Sequence, residues 1–200
     1  SMGNLEKSTR SQKKANGIRK GGRKMLDLKS CLLSRQEANT NQVRRNPNLI
    51  GSSVIGMCGR KVFLDRENGV DIPVGISMRG HGVESVVLDL LKDKYDITHT
   101  GNEQLELVVA DTIVVHPDGI LDGKIPIDIK STSAKNFSLK GHHKAQAILQ
   151  SHAMNAPFSL MFYIDPSDYE NYLEVRIDAD EAWANRLVDK AKTWKVCFDM

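Results

Sequence analysis

His116-Pro117-Asp118-Gly119 and, shortly after it, Ile125-Pro126-Ile127-Asp128-Ile129-Lys130 are the stretches from which the fold is read. The second is an apolar run of strand length, and Thr112-Ile113-Val114-Val115 just before the first is another. Asp118-Gly119 and Asp122-Gly123 punctuate them as hairpin turns do; Asp122 competes with Asp118 as an acid but reads better as part of the turn. Side chains alternate along a strand, so Asp128 and Lys130 share one face while Ile127 and Ile129 take the other, toward the core. In a hairpin, Asp118 and Asp128 converge. Two carboxylates that meet repel each other; a hard divalent cation relieves this, and Mg²⁺ is commonly held by one or two carboxylates together with phosphate oxygens. A lysine beside them is placed to stabilise or deprotonate a water, so the set suits metal-assisted hydrolysis of a phosphodiester.

Working upstream, Arg79 to Tyr95 repeats Val83, Val87, Leu90, Leu91 and Lys94 at helical spacing. Glu84 lies on that helix with Leu88 and Leu91 four and seven positions further on, so it points inward. A buried carboxylate needs a partner; a shared cation is one, and a cap or an ion pair is the structural alternative. Ser52-Ser53 precede Val54, Ile55, Met57, Cys58, Val62 and Phe63, which reads as one capped helix with Arg60 and Lys61 on another face. Glu67-Asn68-Gly69 reads as a turn, Asp71 to Ser77 as a loop, and Gln104 to Val109 as a strand. Downstream, Lys140 to Asn155 is a helix starting near His142-His143, with Pro157 beyond it. Ser159 to Ile164 is a buried-type strand, and the alternating Tyr172 to Ile177 should pair with it. Asp178 or Asp180 caps a last helix with Trp183, Leu187, Ala191 and Trp194 on one stripe, positions that suit core packing better than base stacking. The order predicts an α/β domain, a central mixed sheet flanked by helices.

Pro117-Asp118, nine intervening residues, then Asp128-Ile129-Lys130 resembles the PD-(D/E)XK nuclease signature. Gly80-His81-Gly82-Val83-Glu84 looks like the G-x-x-x-E/H helix motif of the RecB-like, Cas4-like and lambda-exonuclease-like branches. Cys58-Gly59-Arg60-Lys61 is similar to their first-helix C-x-R motif. Gln146 followed by Gln150 resembles their Q-x-x-x-Y helix, with glutamine in place of the tyrosine. The resemblance spans roughly residues 50–165 in the family's order. It implies a restriction-endonuclease-like core and a metal-dependent DNA nuclease, preferentially an exonuclease in recombination or DNA-end processing. An endonuclease and a non-catalytic nucleic-acid-binding module on the same fold are the alternatives. It implies Glu84, Asp118, Asp128 and the Ile129 carbonyl as ligands of Mg²⁺ or Mn²⁺, Lys130 to position or activate the attacking water, and Gln146 to orient lysine, water or substrate. Arg60, Lys61, Ser131, His142 and His143 would contact nucleic acid. Only Cys58 and Cys197 could correspond to the four cluster cysteines of Cas4-like proteins, so no iron–sulfur cluster is expected.

The surroundings agree with an intracellular DNA enzyme. The 200 residues are 40% apolar and 26% charged, an ordinary globular balance, and no apolar run approaches the length that spans a bilayer. Cys31, Cys58 and Cys197 are odd in number and far apart, which fits a reducing compartment; Cys58 reads as a small core residue. No signal peptide is expected, because the basic N-terminus has no apolar core. Residues 1–48 carry 12 Lys+Arg against 3 Asp+Glu, whereas 49–200 carry 16 against 22. The chain thus divides into a partly disordered basic arm, residues 1–48, with a short helix over Met25 to Leu33, and a nuclease domain, residues 49–200. Such an arm is drawn to a polyanion, which makes DNA the expected partner. A helicase, a recombination protein or a second copy of the chain would suit the family type. The expected compartment is the cytoplasm, that of a host if a phage encodes the protein. His116, just before the signature, shapes the strand end or reaches the site.

Overall fold

The computed structural model describes residues 48–68 and 74–198; the expected arm and the short helix expected in it lie outside the described residues, apart from Asn48. Among the described residues, eight strands fall into two sheets. The larger has the order β2 (Ile97–Thr98), β5 (Gly119–Leu121), β6 (Ile125–Ser131), β7 (Phe158–Asp165), β8 (Asp168–Asp178). It is mixed: β6 and β7 run parallel and every other pair is antiparallel. The parallel pair needs a long crossover, supplied by the helix Gly141–Ala153. The smaller sheet sets β4 (Ile113–Val115) between β1 (Ile50–Gly51) and β3 (Leu107–Val109). The expected α/β core is therefore present, but its sheet is divided in two.

Among the described residues the α-helices are, in chain order, α1 (Ser52–Ile55), α2 (Gly59–Asn68), α3 (Val74–Lys92), α4 (Gly141–Ala153) and α5 (Glu181–Phe198). The long strands β6 and β7 are buried on both faces, which is why their sequences are apolar almost throughout. Ile127, Ile129, Phe162 and Ile164 pack on one side with Val83, Val87 and Leu88 of α3. Met161 and Tyr163 pack on the other with Ile148 and Leu149 of α4 and Leu187 and Val188 of α5. Asp128 belongs to that second face and is wholly buried, so the sheet has no solvent side at the signature.

Several local expectations are corrected. The first helix breaks at Gly56–Cys58: α1 is preceded by Gly51 without a side-chain cap, so Ser52 and Ser53 do not cap it. Gly56 ends α1 where α4 packs against it: a Cβ there would lie 2.5 Å from the His142 Cα and 2.9 Å from the Ala145 Cβ. The Lys190 ammonium closes the gap by donating to the Ile55 carbonyl at 2.8 Å and the Met57 carbonyl at 3.1 Å. Cys58 is exposed rather than buried in the core, and its carbonyl accepts from the Val62 N–H at the start of α2. Glu67 and Asn68 continue α2, α3 begins at Val74 within the expected loop, and the strand expected from Gln104 begins only at Leu107. Asp180, not Asp178, caps α5 by accepting from the Trp183 N–H at 2.8 Å; Asp178 pairs with Arg176. Trp183 and Trp194 pack against the core as expected. Gly56→Val forces the α1 turn off α4, and the neighbour it meets is backbone, which cannot swing aside. We expect a loss of about 2–3 kcal/mol, read as a lower Tm by circular dichroism.

Candidate active site

Strands β5 and β6 form the expected hairpin, with Gly119 opposite Ile127 and a tight turn whose Asp122 and Gly123 take positive φ of 51° and 65°. The Asp118 N–H donates to the Ile127 carbonyl at 2.9 Å, so the pairing runs one residue past the hairpin and brings Asp118 onto the signature strand. The Ile129 N–H donates to Asp118 Oδ2 at 2.6 Å. Ile129 thus touches the acid through its amide.

Glu84 reaches the same place from α3. Its neighbours Val83, Val87 and Leu88 anchor the helix on the sheet, and its side chain keeps only 18% of its exposure. The Gln104 amide joins the two acids: Nε2 donates to Glu84 Oε1 at 3.2 Å and to Asp118 Oδ1 at 3.3 Å. The carboxylates are therefore two hydrogen-bond lengths apart at most. His81 Nδ1 lies 3.7 Å from Glu84 Oε2.

Asp128 is held from α4. Gln146 Nε2 donates to its Oδ1 at 2.7 Å and Gln150 Nε2 to the same oxygen at 3.1 Å. Its other oxygen, Oδ2, receives no hydrogen bond from the described residues and lies 2.5 Å from Lys130 Nζ. Lys130 pairs in register with Tyr163 of β7, and the Tyr163 hydroxyl lies 2.8 Å from His143 Nδ1. His142 stacks edge-on against His143. Ser131 is half-buried next to Lys130. Arg60 and Lys61 lie exposed at the start of α2, where Gly59 abuts Trp194 and Lys61 pairs with Asp65; these contacts do not join them to the acids. His116 pairs with Glu106 at 2.9 Å.

The charges shape one another. Burial, then Asp128 and Glu84, push the Asp118 carboxyl well above its ordinary range. Burial, with a smaller push from Asp128, raises Glu84 despite His81 and Lys130. Burial works against the Lys130 ammonium, but Asp128 and Asp118 outweigh it and hold the lysine above its usual value. Burial and the Lys130 charge drive His143 down to about 3, so its ring is neutral. A carboxyl whose pKa rises on folding favours the folded state while protonated. That stability is complete below the ordinary carboxylate value of about 4 and is lost as pH rises through the elevated one. In EDTA we expect Tm to fall over that window, and Asp118→Asn to flatten the slope; thermal unfolding across a pH series measures it.

Among the described residues, no three acid, imidazole or thiol groups are already gathered at metal-ligand distance. Gln104 stands between Glu84 and Asp118, and two amides and an ammonium surround Asp128. The donor set is nevertheless oxygen-only and anionic, the chemistry that suits Mg²⁺ or Mn²⁺. Asp128 Oδ2, which has the Lys130 ammonium beside it and no other partner among the described residues, keeps lone pairs that fit such a cation.

No family model matches the sequence, and neither does any curated protein. Solved structures do resemble it. SSO0001 superposes with a TM-score of 0.62 at 22% identity, over 83% of this chain and 86% of that one. The alkaline exonuclease LHK-Exo from Laribacter hongkongensis gives 0.58 at 15% identity, over 76% and 88%. Its complex with dAMP gives 0.59 at the same identity and shares. The chain shares the fold of these structures. At these identities the likeness carries the fold alone. Within it, Gln104, Gln150 and Tyr163 are the site neighbours that the sequence did not single out as functional. Gln104 sits in irregular backbone after a short 3-10 turn, Gly101–Glu103, where its sequence reads only as the start of a strand.

Proposed function

We propose that the protein is a divalent-metal-dependent deoxyribonuclease that hydrolyses phosphodiester bonds, acting from DNA ends in the manner of the lambda-exonuclease-like branch. The observation that carries this is the meeting of Glu84 and Asp118 on one amide nitrogen, with Asp118 bound to the backbone of Asp128-Ile129-Lys130. Glu84, Asp118, Asp128 and the Ile129 carbonyl are the groups that would hold Mg²⁺ or Mn²⁺. When bound, the cation supplies positive charge for the phosphate and the departing oxygen.

The chain's own groups do the rest. Lys130 is held protonated by Asp128, so it serves better as a donor than as a base: it orients a water or a phosphate oxygen and offsets the negative charge that builds there. Gln146 acts through Asp128, fixing Oδ1 so that Oδ2 faces the lysine. Neutral His143 offers hydrogen bonding without charge, while Ser131, His142, Arg60 and Lys61 are the proposed DNA contacts. The basic arm would hold the phosphate backbone without reading sequence. The dAMP complex of LHK-Exo supports a deoxynucleotide substrate. Recombination or end processing in a cytoplasm, with a helicase, a recombination protein or a second copy as partner, completes the proposal.

The test uses linear duplexes labelled at a 5′ or a 3′ end and a closed circle, each with Mg²⁺ and with EDTA. Metal-dependent loss of the linear DNA with the circle spared is expected, and the label lost first gives polarity. Cutting of the circle makes the protein an endonuclease. DNA retained but uncut under every condition overturns the enzymatic reading in favour of a binding module.

A further inference from the structure

We propose that Gln104 is an additional oxygen ligand of the divalent cation, presented by a half-turn of its amide. This rests on the metal-dependent reading above and extends its ligand set to a residue outside the signature.

Gln104 Nε2 occupies the position between Glu84 Oε1 and Asp118 Oδ1, at 3.2 and 3.3 Å. Without a cation, that N–H₂ group is the right one to place between two acids, because it donates to both. With a cation on the acids it is the wrong one, since its hydrogens would point at positive charge. The terminal torsion of a glutamine is roughly two-fold, and its oxygen and nitrogen are nearly interchangeable in space. Half a turn therefore puts Oε1 where Nε2 stands, with no backbone movement.

The spacing fits the exchange. Oxygens bound to Mg²⁺ at about 2.1 Å in an octahedron lie about 3 Å apart along each edge. An oxygen at the Nε2 position would make two such edges, one to Glu84 and one to Asp118. The side chain is half-buried, and its backbone is tied into the preceding turn, where the Gln104 N–H donates to the Gly101 carbonyl at 3.4 Å. In the same cluster, Asp128 Oδ2 is buried with the Lys130 ammonium beside it and no other partner among the described residues, so it keeps lone pairs for a cation.

The test is Mn²⁺ binding by calorimetry, with the Mg²⁺-induced rise in Tm as a second readout, on the full chain and three variants. Gln104→Leu keeps the size and removes the oxygen; its Mn²⁺ affinity should fall about tenfold. Gln104→Glu is isosteric and adds a charge; it should lower Tm in EDTA, bind Mn²⁺ more tightly and show a larger Mg²⁺ rise in Tm. Asp118→Asn is the control for the site itself and should lose most binding. Should Gln104→Leu bind as tightly as the wild type, or more tightly, while Asp118→Asn does not, Gln104 is no ligand and the metal site stands without it. Folded Gln104→Glu that binds more weakly than wild type overturns the proposal equally. Wild-type affinity in Asp118→Asn would sink the underlying metal reading, whatever Gln104 does.

Discussion

Lys130→Met is expected to abolish DNA cleavage, by about a thousandfold or more in single-turnover assays with Mg²⁺. The ammonium is the cationic side chain paired with the buried Asp128, and both Asp128 and Asp118 keep it protonated. Methionine preserves most of its volume and removes the charge that would face the phosphate. The change also has a structural side. Asp128 is wholly buried, and losing its ion partner leaves a carboxylate with only two amide donors on one oxygen. Breaking a fully buried pair costs about 3–5 kcal/mol; Lys130 retains 26% side-chain exposure, so about 2 kcal/mol is the reasonable figure here. That corresponds to a Tm lower by roughly 4–8 °C for a chain of this size. Normal cutting by folded Lys130→Met would refute the assigned site.

Asp128→Ala should have the larger effect on folding. Gln146 and Gln150 are buried and both spend an N–H on Asp128 Oδ1, while Gln150 Oε1 already lacks a partner among the described residues. Removing the acceptor strands both amides and the lysine. At about 1–3 kcal/mol for each buried polar group left unpaired, a loss of about 3–4 kcal/mol follows, together with loss of cleavage. Asp118→Asn is the contrast. It should lose cleavage as completely, yet in EDTA, at a pH where Asp118 is ionised, it should be no less stable than wild type, because it removes a buried carboxylate that Asp128 and Glu84 repel. Chemical denaturation of the two variants side by side separates them. Equal destabilisation would mean that Asp128 is not held as described. From the signature alone, alanine at any of the three positions would seem equally harmless to the fold; burial distinguishes them.

Much of this protein is legible in its residues because the relevant interactions are local. Asp122-Gly123 demands a tight return, so the β5–β6 hairpin and the meeting of Asp118 with the Asp128 strand follow from turn chemistry and the two-residue period. Leu88 and Leu91 turn Glu84 inward by helical period alone. The strand β7, its partner β8 and the helices α4 and α5 are equally readable, each being long and strongly periodic.

Other features belong to the tertiary structure, because they depend on what arrives from far along the chain. A single helix over residues 52–63 is reasonable until α4 approaches so closely that Gly56 has no room for a side chain, and Lys190 closes the break from the other end of the chain. Asp128 and Lys130 share a face by alternation, but only the packing of α4 and α5 on that face buries Asp128 and recruits Gln146 and Gln150 to one of its oxygens. Gln150 stands where the resembled motif has tyrosine, and only the fold shows that it reaches the same carboxylate as Gln146. Gln104 reads only as the first residue of a strand and becomes a site residue because the start of β5 and the middle of α3 meet beside it. The sequence by itself determined how Glu84, Asp118, Asp128 and Lys130 are turned, since short-range geometry sets their faces. The tertiary structure decided which of them the fold cannot lose and which neutral amides hold them, since burial and convergence are properties of the packed whole.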